Sequence, residues 1–131
     1  MTAAAEAIQD KAAGEFVCDF VSRLPTTDSG QPFQLYDWQR DALMDLYGTM
    51  EDDPETGERL RKYWYLYLEI PKKNGKSELA AALGLYHLFA DGELNAEVYV
   101  CAADKENASI VYNAAVFMVT TAPWTAKMVA R

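Results

Sequence analysis

Residues 63–90 constrain the fold more than any other part of this chain. The passage opens with an aromatic and aliphatic run, Tyr63-Trp64-Tyr65-Leu66-Tyr67-Leu68-Glu69-Ile70. It continues through Pro71-Lys72-Lys73-Asn74-Gly75-Lys76-Ser77 into an alanine- and leucine-rich stretch over 78–90. Both parities of the first run are apolar toward its end, which predicts a strand covered on both faces. The last stretch predicts a helix. A strand that becomes a helix through a tight loop ending Gly-Lys-Ser has the layout of a phosphate-binding loop.

The chemistry expected of such a loop is specific. Backbone N–H groups gathered at the helix N-terminus cradle phosphate oxygens, and the helix dipole adds a favourable field. Gly75 keeps a Cβ out of the way of the phosphates. Lys76 reaches the β- and γ-phosphates of ATP as a point charge, and the Ser77 hydroxyl ligates Mg²⁺. Lys72, Lys73 and Asn74 form the lip of the loop, and Glu78 is a first-turn acid favoured by the dipole. The first glycine of the G-x-x-x-x-G-K-[ST] pattern is missing, because Ile70 holds its place. The plainer alternative is a basic surface turn with solvated lysines.

The rest of the chain is organised around this passage. Residues 3–24 read as a helix, with Ile8, Phe16, Val17, Phe20, Val21 and Leu24 near helical spacing and Gly14 dividing its middle. Residues 25–32 carry two prolines, a glycine and small polar side chains, which is loop chemistry. Residues 33–35 are a short extended piece, and Asp37 is read as the N-cap of a helix over 38–47. The polar turn 51–58 joins a short strand near 48–50 to a long strand over 59–70. A further strand is expected over 97–102, then a helix over 105–119 capped by Asp104 and ended by Pro123, then a short helix over 124–130.

Strand, helix and strand in that order form a right-handed crossover in a parallel sheet. The fold class is therefore α/β and P-loop NTPase-like: an incomplete parallel sheet flanked by helices, with a helical N-terminal extension. The expected boundaries are 1–35 for the extension and 36–131 for the partial ATPase domain. Two or three strands leave sheet edges uncovered.

Composition narrows the function. Half of the 131 residues are hydrophobic, which suffices for a core. No apolar run approaches membrane-spanning length and no cleavable signal is evident, so a cytoplasmic protein without a membrane partner is expected. Cys18 and Cys101 have neither metal nor disulfide spacing and are expected as buried thiols. His87, the one histidine, reads as a packing or surface residue. The net charge of −8 repels nucleic acid, so this segment alone is not a strong DNA binder. DNA remains open as the substrate of a larger assembly.

Two further clusters bear on the site. In Leu35-Tyr36-Asp37-Trp38-Gln39-Arg40, the Gln39 amide is donor and acceptor at once and suits an adenine edge, with Tyr36 or Trp38 stacking on the base. In the plainer reading Trp38 anchors the core and Gln39 is solvated. Ala103-Asp104-Lys105-Glu106-Asn107-Ala108 follows the 97–102 strand at its carboxyl end, where open α/β sheets bind ligands. Helix capping is the expected role of Asp104. After Ser77 no apolar run ends in paired acids, which a phosphate-loop ATPase needs for Mg²⁺ and water. Nucleotide binding is thus expected ahead of hydrolysis.

Taken together, Gln34-Leu35-Tyr36-Asp37-Trp38-Gln39-Arg40, the loop 69–77 and the segment 98–108 resemble the start of the large terminase subunit of tailed bacteriophages. That family is the ATPase that packages viral DNA into procapsids. Its loop is spelled Pro-[Arg/Lys]-Lys-Asn-Gly-Lys-Ser, which accounts for the missing first glycine. The resemblance implies adenine recognition by Gln39, phosphate binding by Lys76 and Mg²⁺ binding by Ser77. Lys72 stands where many members carry an arginine on the γ-phosphate; lysine keeps the charge and loses the bidentate fork. It also implies DNA, a portal and a small terminase subunit as partners of the full-length protein, and the host cytoplasm as its location. The family's paired acids and nuclease cluster have no counterpart here, so ATP turnover and DNA cleavage are not assigned to these residues. The alternatives are a non-enzymatic remnant or small nucleotide-binding protein, or a superfamily-2 helicase. Against the helicase, the Lys-Lys-Asn spelling before Gly75 differs from Gly-x-Gly-Lys-Thr.

Overall fold

The computed structural model describes residues 6–70, 76–122 and 124. In chain order the elements are β1 (Ile8–Gln9), α1 (Lys11–Ser22), α2 (Asp37–Gly48), β2 (Thr49–Asp52), β3 (Arg59–Arg61), α3 (Lys76–Phe89) and α4 (Lys105–Thr121). They fall into two units, one from Met1–Asp19 with Leu35–Glu69, the other from Phe20–Gln34 with Ile70–Arg131.

The first unit is built on a polar hairpin. Asp53 N–H donates to the Glu58 carbonyl at 2.8 Å, and Gly57 N–H to the Asp53 carbonyl at 2.8 Å. Gly57 supplies the left-handed φ of 72° that this turn requires. The turn sets β2 antiparallel to β3 with Met50 opposite Arg61 and Asp52 opposite Arg59. On the other edge β1 pairs antiparallel with β2, Ile8 opposite Met50. The sheet order is therefore β1-β2-β3.

Gly14 sits inside α1 and does not divide it. A Cβ built there would lie 2.8 Å from Met44 Sδ and 3.1 Å from Met44 Cα, so the glycine lets α1 and α2 approach closely. Val17, Cys18, Leu43 and Tyr47 are buried in this unit. Full burial of one such aliphatic side chain contributes roughly 1.5–3 kcal/mol.

In the second unit α3 packs along α4. Leu79, Ala82, Leu85 and Tyr86 of α3 are buried, as are Ala114 and Met118 of α4. Phe20 forms T-shaped pairs with Tyr86 and Trp124, at centroid separations of 5.6 and 5.5 Å. Loop 25–32 is closed at its base. Phe33 N–H donates to the Leu24 carbonyl at 2.8 Å, Pro25 bridges Pro32, and both Leu24 and Phe33 are buried. Across the loop, Thr26 N–H donates to the Gln31 carbonyl and Gly30 N–H to the Thr26 carbonyl, each at 2.9 Å.

Several expectations are corrected. The first helix begins at Lys11, and Ile8 and Gln9 are strand instead; residues 1–5 lie outside the described part. The second helix begins at Asp37 with Tyr36 at the N-cap, so Asp37 is a first-turn acid rather than the cap. The sheet is antiparallel, not parallel. Of the strand expected over 59–70 only Arg59–Arg61 pairs, and residues 97–102 have no ladder among the described residues. A strand exists only when a neighbour takes its N–H and C=O groups. Residues 63–69 and 97–102 belong to different units, and neither segment has such a neighbour among the described residues. Their side chains are accordingly exposed: Trp64 by 81%, Tyr65 by 92%, Tyr67 by 86% and Tyr99 by 79%. Cys101, expected buried, is exposed with them, while Cys18 is buried as expected. The helix expected over 124–130 lies outside the described residues except for Trp124.

Candidate functional site

The first turn of α3 carries the residues on which the phosphate-binding expectation rests. The leading N–H groups of any helix have no intrahelical acceptor, and here the side chains around them are Lys76, Ser77 and Glu78. Lys76 is exposed and Ser77 half-buried, so both remain accessible to a ligand. Lys72, Lys73, Asn74 and Gly75 lie outside the described residues. The donor set fits an anion: helix N–H groups, a primary ammonium and a hydroxyl, each of which hydrogen-bonds or neutralises phosphate oxygen.

Glu78 is oriented by a residue distant in sequence. Its Oε1 accepts the backbone N–H of Thr27 at 2.7 Å and also the Thr27 hydroxyl. The closed loop 25–32 thus meets the beginning of α3. Sequence reasoning missed Thr27. A threonine in a proline- and glycine-bounded loop has no spacing signal that ties it to a position 51 residues later.

Gln39 lies in the other unit, on α2. It is 1% exposed, and its Oε1 accepts the Tyr36 N–H at 2.9 Å. That bond satisfies one of the orphan donors at the helix start, the glutamine half of a capping box. Trp38 and Tyr36, the aromatic residues of this cluster, are exposed. The arrangement reverses the plainer expectation, in which Trp38 was inside and Gln39 outside. The second lone pair of the amide oxygen remains chemically able to accept.

Asp104 caps α4 as expected. Asn107 N–H donates to Oδ1 at 2.8 Å and Asn107 Nδ2 to Oδ2 at 3.0 Å, so both carboxylate oxygens are engaged locally. His87 is half-buried, its Nδ1 3.2 Å from Asp91 Oδ2. The Tyr86 hydroxyl donates to the other oxygen at 3.4 Å. Burial pushes the Cys18 thiol above its ordinary pKa, with the Arg40 charge opposing. Among the described residues no three His, Cys, Asp or Glu side chains converge as a metal centre. None of the described helices is long and apolar enough to cross a membrane.

Comparison with known proteins gives concordant matches. The family model described as "Terminase large subunit, ATPase domain" matches residues 37–130. The large terminase subunit of Enterobacteria phage HK97 is 32% identical over 115 residues, spanning 84% of this chain and 21% of that protein. The crystal structure of the HK97 bacteriophage large terminase superposes with a TM-score of 0.71 at 32% identity. That match covers 87% of this chain and 22% of the HK97 chain. The chain therefore spans about a fifth of the length of the relatives it matches.

Proposed function

Because the chain belongs to the family of phage terminase large subunits, within their ATPase domain, we propose that it is the ATP-binding portion of a DNA-packaging motor. The observation that carries the reading is the first turn of α3, where Lys76 and Ser77 stand accessible beside the leading helix N–H groups. The family match supports it by spanning this turn, and its start at residue 37 supports a boundary between an extension, 1–35, and a P-loop ATPase domain, 36–131.

In this reading the α3 N–H groups and Lys76 bind the β- and γ-phosphates. Ser77 offers its hydroxyl to Mg²⁺, and the family resemblance assigns Lys72, Lys73, Asn74 and Gly75 to nucleotide binding as well. Adenine recognition is assigned to Gln39 by the family resemblance, its amide being donor and acceptor at once. Bound Mg-ATP supplies the phosphoanhydride whose cleavage drives a motor of this class. DNA, a portal and a small terminase subunit are the proposed partners of the assembly, in the host cytoplasm. The net charge of −8 leaves the main grip on DNA to other parts of it.

Calorimetric titration with Mg-ATP tests the reading. Lys76→Ala removes a charge-assisted hydrogen bond worth roughly 1.5–3 kcal/mol, a loss of about 10- to 100-fold in affinity. An exposed side chain leaves stability within about 0.5 kcal/mol, so the fold remains a fair control. Equal affinity of the two proteins refutes the assignment.

A further inference from the structure

A glutamate in the first turn of a helix often reaches back to the N-cap N–H, placing its charge over the helix start. Here that carboxylate is engaged elsewhere. Glu78 Oε1 accepts the Thr27 N–H at 2.7 Å and the Thr27 hydroxyl as well, two donors on one acceptor. Thr27 is itself held in place, because loop 25–32 is closed by the Pro25–Pro32 bridge and by the Phe33-to-Leu24 hydrogen bond at 2.8 Å. Further links across it run between the Thr26 and Ser29 hydroxyls at 3.0 Å and from Gly30 N–H to the Thr26 carbonyl at 2.9 Å.

We infer that Thr27 is a positioning residue for the phosphate site: it tethers the Glu78 carboxylate to loop 25–32 and so keeps a negative charge from competing with phosphate for the first turn of α3. The inference rests on the nucleotide-binding reading of Lys76 and Ser77. Glu78 directly follows Ser77 in the same turn, so a carboxylate released from its tether reaches the space that the phosphates require. Two like charges a few ångströms apart near water repel by an amount that corresponds to about a fivefold change in affinity.

A double-mutant cycle in Mg-ATP affinity separates this role from a structural one. Thr27→Val removes the hydroxyl and leaves the backbone N–H bond, whereas Thr27→Pro removes both donors; the expected losses are about twofold and about fivefold in the wild-type background, and less than about twofold for either in the Glu78→Gln background. Thr27→Ser, which restores the donor, is expected to bind as the wild type does. Equal losses in both backgrounds, or no loss in either, overturn the inference. The failure of the underlying reading looks different: then Lys76→Ala binds as the wild type does, or neither binds. Amide hydrogen exchange gives a second readout that needs no change at Thr27. Its N–H is expected to be protected in the wild type and to lose protection in Glu78→Ala. An unprotected Thr27 amide in the wild type overturns the tether.

Discussion

Replacing Gly14 by alanine sets two well-measured effects against each other. Intrinsic propensity favours alanine over glycine inside a helix by about 0.8–1.0 kcal/mol. Packing opposes it. The new methyl would lie 2.8 Å from Met44 Sδ, 3.2 Å from Cε and 3.1 Å from Cα. Sulfur and terminal carbon can swing away, but the backbone of Met44 moves only if α2 moves. Overpacking of this kind costs about 1–3 kcal/mol. The net expectation is a destabilisation of about 1 kcal/mol, a fall in melting temperature of roughly 3–6 °C. Urea unfolding with an unchanged m-value measures it. In a Met44→Ala background the same substitution meets only the backbone of residue 44, so its penalty should shrink by about 1 kcal/mol. A stability gain in the wild-type background equal to the propensity difference would show that the two helices do not approach as described.

Two further outcomes are expected. Asp104→Ala removes the acceptor for Asn107 N–H and Nδ2 and should cost about 1 kcal/mol, with faster amide exchange confined to the start of α4; unchanged exchange there contradicts the cap. A thiol reagent should label exposed Cys101 at once and buried Cys18 only on unfolding. Burial raises the Cys18 pKa, so the folded state holds that proton longer than the unfolded state does. The associated stability is complete below the unfolded thiol's titration and is lost as pH rises through the folded one. Equal labelling rates for the two thiols refute the burial.

The legible parts of the fold are those decided by neighbours in sequence. α3 follows from its alanine and leucine content, α4 from the Asp104 cap, and the hairpin from the polar, glycine-containing turn over 51–58. The family resemblance was legible as well, because Trp38-Gln39, the loop before Lys76 and the 98–108 segment are unusual together; the matches to terminase large subunits bear it out. What stayed hidden depends on distant partners or on a single step of register. β1 is too short for any period to show. Gln39 and Trp38 differ by one residue, about 100° around a helix, and propensity does not say which turns inward. The Thr27–Glu78 bond joins loop and helix across 51 positions, a distance at which pattern carries no information.

The aromatic run 63–70 shows the same limit from the opposite side. Its residues have the character of a doubly covered strand, yet Trp64, Tyr65 and Tyr67 stand in solvent. Composition reports how much a segment gains by being covered, not what covers it. The gain is substantial: an aromatic side chain buries roughly 150–250 Å², and at roughly 25 cal/mol per Å² each contributes several kcal/mol as an upper estimate. Exposed apolar surface of this kind favours association between copies. The charge of −8 acts against it, since like-charged chains repel and a net charge far from zero sustains solubility. One property of the sequence thus has two consequences. The acidity that argues against a direct grip on DNA also opposes self-association of a chain whose most strand-like segment has no ladder among the described residues.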